Sequence, residues 1–161
     1  MPNDYYLLIG GVNGESQAAD MENNIELDSW SFGGSSPASV GGKGLSGGTP
    51  SFSDFTCTFK LDSASWQIMK NMCQGTHIAS VTFSGRKTGG NNTPYKYLVV
   101  TLNNSFVTAF TTTGQPSDIP MASLGIAFEE IQYQYYTQDS KSGQVTLSGA
   151  AKYDIKQVQA S

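Results

Sequence analysis

One stretch of the chain, residues 61–75, has the apolar spacing of a helix, whereas the residues on both sides alternate in the manner of strands. Asp62 or Ser63 can cap its start, because a short side-chain oxygen accepts from the free N–H groups of the first turn. Gly75 can end it in the left-handed conformation. A lone helix needs an apolar surface to cover, and a sheet is the surface available. The sequence therefore predicts a mainly β fold with a single α-helix over about 62–74.

This helix carries two adjoining apolar stripes. The first consists of Leu61, Ile68 and Met72, and the second of Trp66, Met69 and Cys73. The chain has two cysteines, Cys57 and Cys73. The N-terminus has no basic region of the kind that begins a signal peptide, so we expect a reducing compartment and free thiols. We predict that both cysteines are buried and unbridged, since a free Cys behaves as a small hydrophobe.

The strand pattern extends along most of the 161 residues, a length that suits one domain, 1–161. We expect the apolar face to change near Ser29 and at Glu129–Glu130, where bulges would keep the apolar side chains on one side. A turn or a bulge is expected at Asn103–Asn104. Residues 95–110 are predicted to form two strands, and the last strand is expected around 151–155. About eight short strands and one helix indicate an antiparallel β-barrel, closed or nearly closed, or two packed sheets.

Residues 33–50 form a long segment that is rich in Gly and Ser. It has too few apolar residues to hold itself as an isolated element, and structureless loops of this length are uncommon in compact domains. It is either a flexible linker or a loop that becomes ordered against another subunit. A nucleotide-binding loop is excluded, because Pro37 and Gly44 stand where the Walker motif needs Gly and Ser or Thr.

The sequence shows no catalytic set, and we predict no enzyme, no cofactor and no metal. The single histidine, His77, has no evident partner, and one His with two separated Cys does not make a metal site. Glu129 and Glu130 are adjacent carboxylates that nothing selects as a catalytic pair. The net charge of −4 and the absence of a basic stripe argue against nucleic acid. No apolar run is long enough to cross a bilayer, and we interpret Arg86–Lys87 as a solvated strand end.

Five segments together are distinctive: YLLIGGVNGES (6–16), IELDSWSFGG (25–34), FTCTFKLDSAS (55–65), GTHIASVTFSGRKTGG (75–90) and YLVVTLNN (97–104). In their order they resemble the Hcp family, the haemolysin-coregulated tail-tube proteins of the bacterial type VI secretion system. The Gly14–Glu15–Ser16 turn and the turn that begins at Arg86–Lys87 are the most specific of these, and the chain resembles the family over nearly its whole length. Trp66 departs from the family pattern, in which many members have Pro.

The resemblance implies a β-barrel with a flanking helix, six subunits in a ring, and rings stacked into a tube. It implies a protein made in the bacterial cytoplasm and secreted by the type VI system without a signal peptide. The implied partners are further copies of the chain, the spike, the contractile sheath and small effectors held inside the ring. By the same resemblance, residues 33–50 are expected to be the extended loop that reaches a neighbouring ring or subunit.

We expect the contacts between subunits and rings to lie in the long loop and in the two turns. The residues predicted for them are Gly14, Glu15, Ser16, Gly33, Gly34, Ser36, Val40, Lys43, Leu45, Arg86 and Lys87. The main alternative is a monomeric β-barrel that binds a sugar or small ligand through the tyrosine-rich strand at 133–136. An enzyme with a cleft and a carboxylate pair is the third hypothesis. A tube subunit needs neither a deep pocket nor reactive groups.

Overall fold

A computed structural model describes residues 3–42, 44–89 and 92–161, and in these ranges the chain forms thirteen strands and one helix. The helix is α1 (Ser65–Gln74). The first seven strands are β1 (Asn3–Ile9), β2 (Ile25–Leu27), β3 (Ser29–Ser31), β4 (Gly34–Ser35), β5 (Ala38–Gly41), β6 (Gly44–Gly47) and β7 (Ser51–Phe52). The others are β8 (Phe55–Lys60), β9 (Ile78–Thr88), β10 (Pro94–Thr113), β11 (Met121–Gln138), β12 (Val145–Asp154) and β13 (Gln159–Ala160).

Nine of these strands form one antiparallel sheet in the order β2–β1–β9–β10–β11–β12–β13, with β8 paired to β11 and β3 paired to β8. Strand β11 changes partner along its length: its first half pairs with β8 and its second half with β12. The sheet therefore folds over on itself around a common interior. The mainly β fold with one helix is as the sequence predicts.

The two ends of this folded sheet meet at Asp28, which separates β2 from β3. Strand β2 pairs with β1, and β3 pairs with β8. Between them, the backbone N–H of Asp28 donates to the carbonyl of Thr58 at 2.8 Å. The two edges of the sheet are thus connected by one extended segment, residues 25–31, and not by a continuous ladder of strand pairs. The expected change of face near Ser29 occurs here, one residue earlier.

Strands β10 and β11 form a long hairpin that bends at Asn104, which has a φ of 51°. Before the bend Leu102 faces the interior, and after it Val107 does, so the inward face changes from even to odd positions. Residues 95–110 were expected to form two strands, but they belong to one strand whose left-handed Asn104 absorbs the change. On β11 the inward face changes between Ile126 and Ile131, around the expected Glu129–Glu130. The last strand was expected around 151–155, but the strand found there, β12, begins earlier, at Val145, and the two-residue strand β13 follows it.

The core fills the space between the folded halves of the sheet. Phe55, Phe59 and Phe83 are among its largest fully buried side chains. The rings of Phe55 and Phe83 lie 5.4 Å apart, and Trp30 packs on Phe83 at 4.6 Å between ring centroids. Aromatic contacts at such distances stabilise a core beyond simple burial. The core therefore lies inside one subunit and needs no second copy to close it.

Helix α1 packs against β10 through Ile68, which is fully buried. The prediction that Asp62 or Ser63 caps the helix is wrong, because the N-cap residue is Ala64 and no side chain caps it. Asp62 Oδ1 instead accepts from the backbone N–H of Ala64 itself, at 2.6 Å. Gly75 ends the helix with a φ of 64°, as predicted. No helix in the described part of the chain is long and apolar enough to cross a membrane.

Candidate assembly surfaces

Residues 33–53 form a projecting arm built from two consecutive strand pairs. Strand β4 pairs with β7 at the base, and β5 pairs with β6 further out. Between the two pairs, Gly48 donates its N–H to the carbonyl of Pro37 at 2.6 Å, and Ser36 Oγ donates to the carbonyl of Gly48 at 3.1 Å. The expectation that this segment lacks structure of its own is wrong, because backbone hydrogen bonds within the arm hold it without a core.

The outer part of the arm presents an apolar pair to solvent. Val40 lies directly opposite Leu45 in the register, so the two side chains share one face of the hairpin. Val40 is 81% exposed and Leu45 is 74% exposed. Val and Leu side chains are often buried in folded proteins, although a single exposed one is common. Here two neighbours are exposed together at the outer end of the arm.

The base of the arm is anchored by aromatic side chains. The Phe52 ring lies 5.5 Å from Tyr153 and 6.1 Å from Phe128, between centroids. A Cβ on Gly34 would lie 2.9 Å from the Phe52 ring, so this position has room for glycine alone. The predicted residues Gly33, Gly34 and Ser36 therefore lie in the base and middle of the arm. Lys43 falls outside the described residues.

The Gly14–Glu15–Ser16 turn lies against the start of the helix. Gly14 is buried, and a Cβ on it would lie 2.4 Å from the carbonyl oxygen of Asn24. Its N–H donates to the carbonyl of Asn23 at 2.8 Å. The N–H of Glu15 donates to Oδ2 of Asp62 at 3.2 Å. These contacts give the turn a role within the subunit, and any contact with another subunit stays a prediction.

Arg86 is buried, contrary to the expectation of a solvated strand end. Its Nη1 donates to the carbonyl of Ala19 at 2.8 Å, and its Nη2 donates to the Tyr6 hydroxyl at 3.2 Å. Burial by the loop that contains Ala19 was not visible in the alternation of β9. Lys87 points to the other face, where its Nζ lies 5.0 Å from the ring centroid of Tyr97.

The second stripe of the helix faces solvent and was missed as a surface. Trp66 is 63% exposed and Met69 is 53% exposed. Cys73, on the same stripe, is exposed and free, so the prediction that it is buried is wrong. Cys57 is buried and free, as predicted. The spacing of the second stripe was the signal for this surface, since a helix on the outside of a barrel can bury one face only.

The comparison with protein families decides what kind of chain this is. Residues 6–135 match the family model described as "Type VI secretion system effector, Hcp". The chain belongs to the Hcp family. A comparison of the sequence with curated proteins finds no match.

Solved structures share the Hcp fold along nearly the whole chain. A protein described as a type six secretion system protein has a TM-score of 0.90 at 20% identity, over 99% of this chain and 100% of that one. Hcp1 from Salmonella typhimurium has a TM-score of 0.78 at 24% identity, with 100% of both chains covered. A type VI secretion system effector from Yersinia pestis has a TM-score of 0.75 at 26% identity, over 94% of this chain and 100% of that one.

Glu129 and Glu130, the adjacent carboxylates of this Hcp domain, have structural partners. Among the described residues, no group of three or more His, Cys, Asp or Glu is arranged to hold a metal ion. The Glu130 carboxylate accepts from Asn103 Nδ2 at 2.7 Å and lies 3.4 Å from Lys152 Nζ. The carboxylate of Glu129 accepts from Asn104 Nδ2 at 3.1 Å. The two carboxylates thus have separate amide partners and do not form a common site.

The tyrosine-rich part of β11 pairs with the exposed strand β12 of the Hcp sheet. Tyr133 and Tyr135 are on the face that points into the core elsewhere along the sheet, but strand β12 beside them is exposed. They line an open recess of about 280 Å³ together with Gly149 and Ala151. Burial raises the pKa of nearby Tyr97, as does its hydrogen bond with Tyr5. This recess is the surface on which the ligand-binding alternative depends.

Proposed function

We propose that this chain is a non-enzymatic subunit of the inner tube of a type VI secretion system. Six copies form a ring, and the rings stack into a tube that is secreted without a signal peptide. Membership of the Hcp family supports this proposal, because Hcp is a family of secreted type VI proteins and not a family of enzymes. Transport of small effectors inside the ring and contacts with the spike and the sheath belong to the same proposal.

The observation that carries the proposal is the arm. Its outer hairpin is ordered by backbone hydrogen bonds and exposes the apolar pair Val40 and Leu45, whereas the base of the arm packs against the core through Phe52. Exposed apolar side chains that lie together mark interaction sites more often than isolated ones do. A repeated contact between two different patches of identical subunits produces a closed ring or an open stack. An outer hairpin that leaves two neighbouring apolar side chains exposed fits such a contact.

The mass in solution tests the ring. A hexamer of 17.2 kDa subunits has a mass of about 103 kDa, which light scattering distinguishes from a monomer. Negative-stain microscopy of the same sample should show annular particles. A chain that stays monomeric at high concentration would contradict the proposal. In that case, binding of a sugar or another small ligand in the Tyr133–Tyr135 recess would favour the alternative.

A further inference from the structure

Strand β12 has one paired edge and one edge that is unpaired over most of its length. On one side, residues 145–151 pair with β11. On the other side, β13 pairs with Tyr153 and Asp154, and Lys152 exchanges two backbone hydrogen bonds with Ser161. Among the described residues, no strand pairs with the outer edge of 145–151. Such an edge presents N–H and C=O groups with which a further strand can pair.

This part of β12 lacks most of the features by which proteins protect a free edge. Residues 145–151 contain no charged residue and no Pro, and all of them are exposed, so neither face of the strand is covered. One irregularity is present, because a register shift leaves Ser148 without a residue opposite it on β11. Before that shift, Val145 and Leu147 lie two positions apart, and they therefore share one face of the strand.

The outer hairpin of the arm, β5–β6, has the same two properties. It is a two-stranded sheet of its own, so each of its strands has an edge with which no described strand pairs. It also exposes an aliphatic pair, Val40 and Leu45, and so it does not cover β12 of its own subunit. Among the described residues, five large aliphatic side chains are exposed within strands. Four belong to the two pairs on the hairpin and β12, and the fifth, Leu8, stands alone.

We propose that the outer hairpin of one copy adds a strand to the free edge of β12 in a second copy. The inference rests on the proposed function and deepens it, since it names the surface that receives the arm. An added strand would satisfy the free backbone groups of both edges, which is how extended segments bind to an open sheet. Beside each other in one sheet, the aliphatic pairs of the hairpin and of β12 would form a single apolar strip.

The occupant is a second copy because this chain carries both sides of the contact. Hcp proteins typically assemble with themselves. Strands β5 and β6 have four residues each, which suits the short regular segment of β12 that precedes the register shift. Neither these strands nor residues 145–151 contain a charged residue, so like charges do not oppose the pairing. The two surfaces differ, and a contact between different surfaces of identical copies closes a ring or continues a stack.

Cross-linking of two single-cysteine variants tests the contact. One chain carries Val40→Cys and the other Leu147→Cys, both with the exposed Cys73 replaced by Ser. The two are mixed while dilute, concentrated, and treated with a short bismaleimide, which joins thiols without requiring one register. The expected product joins position 40 of one chain to position 147 of the other, identified by peptide mass spectrometry. Leu8→Cys in place of Leu147→Cys is the matched control and should give much less product, since Leu8 is also an exposed aliphatic residue of a strand.

The other products of this experiment would overturn the proposal. In each single variant treated alone, a link between two copies of position 147 would mean that β12 pairs with β12. A link between two copies of position 40 would mean that the hairpins pair with each other. Assembled protein that gives no more product than the Leu8→Cys control would mean that the free edge of β12 does not receive the hairpin.

A double-substitution cycle tests whether the two aliphatic pairs interact. Val40→Ser and Leu147→Ser should each raise the concentration needed for assembly about tenfold, because each removes an aliphatic side chain from the same strip. Together they should raise it by less than the product of the two factors, since the second residue has already lost its partner. Thr146→Ser, on the opposite face of β12, is the control and should leave assembly unchanged. Independent effects, or no effect of Leu147→Ser in a variant that unfolds at the wild-type temperature, would contradict the proposal.

The mass in solution separates this inference from the proposed function. If the wild type forms hexamers but the link between positions 40 and 147 is absent, the inferred contact is refuted and the ring stands. If the link forms but hexamers do not, the contact stands and the proposed ring is contradicted. A wild type that stays monomeric at every concentration contradicts both.

Discussion

Asp62 connects the turn after β1 to the start of the helix through Glu15: its Oδ2 accepts from the N–H of Glu15 at 3.2 Å, while its Oδ1 accepts from the N–H of Ala64 at 2.6 Å. One carboxylate thus satisfies two backbone donors, and Glu15, which carries one of them, lies 47 positions before Asp62. Free N–H groups before a helix need such acceptors. The Gly14–Glu15–Ser16 turn is consequently part of the subunit fold as well as a predicted contact surface.

Replacing Asp62 by Ala should lower the free energy of unfolding by about 1–2 kcal/mol, since both donors lose their acceptor. Urea denaturation of the wild type and the variant measures this difference. Ser63→Ala is the matched control, because its Oγ makes a single contact, with the carbonyl of Asn13 at 3.5 Å. Equal losses for the two variants would show that the carboxylate has no special role.

Gly14→Ala should destabilise the subunit by about 1–3 kcal/mol, because the added methyl group would meet backbone atoms that cannot rotate away. The nearest of them, the Asn24 carbonyl oxygen, would lie at 2.4 Å. Gly33→Ala is the control, as a Cβ there meets nothing within 4 Å. Thermal unfolding of the two variants should differ clearly, and similar midpoints would contradict the packing described for the turn.

One of the two thiols should react in the native protein and both in denaturant. Cys73 is exposed, whereas Cys57 is buried and its burial raises its pKa to about 12. A thiol that is buried and protonated is a poor nucleophile. An Ellman titration with and without guanidinium measures the two counts, and Cys73→Ser should remove the native signal. Rapid reaction of Cys57 without denaturant would show that the core opens readily.

The subunit should lose stability as the pH rises above about 9, the region in which an unfolded Cys ionises while the buried one stays protonated. Burial raises the pKa of Cys57 from 9.0 to about 12, so the folded state binds this proton more tightly. Between about pH 8 and about pH 10 this group removes about 1.4 kcal/mol of stability. Cys57→Ala should flatten the pH dependence of urea denaturation, and an unchanged slope would point to other groups.

The periodicity of the sequence predicts the inward face of a regular strand, but not the positions at which a strand changes its inward face. Along β8 the buried Phe55, Cys57 and Phe59 alternate with more exposed residues, because a strand that is covered on one face alternates visibly. The alternation of the sequence predicted two strands within β10, because it cannot show that Asn104 adopts a φ of 51° and continues the strand. Turn chemistry at Gly75 was predicted correctly, as a local requirement for left-handed backbone leaves a local signal.

The surfaces were harder to predict, because burial of a strand residue depends on what covers it. The pattern of β9 does not show that Arg86 is buried, because the loop that contains Ala19 covers it. Such a contact between residues 67 positions apart leaves no mark in the pattern of either segment. Cys73 was predicted to be buried but is exposed. An apolar stripe on a helix does not show whether another element of the subunit covers it.

Replacing Val40 and Leu45 together by Ser should leave the unfolding midpoint of the subunit nearly unchanged and weaken its assembly. Both side chains are exposed at the end of the arm, so the fold gains little from them, whereas burying two such side chains against another copy would contribute about 3 kcal/mol or more. Thr49→Ser is the control on the same arm. Deletion of residues 40–45 should act in the same direction and more strongly.

Light scattering and differential scanning calorimetry, run on the same samples, separate the two effects. A lowered midpoint in the dilute monomer would mean that the arm stabilises its own subunit and is not reserved for a neighbour. An unchanged midpoint with unchanged assembly would mean that the pair is an ordinary exposed surface. Loss of assembly with an unchanged midpoint is the expected result, because Val40 and Leu45 lie on a hairpin held by backbone hydrogen bonds that the substitutions leave in place.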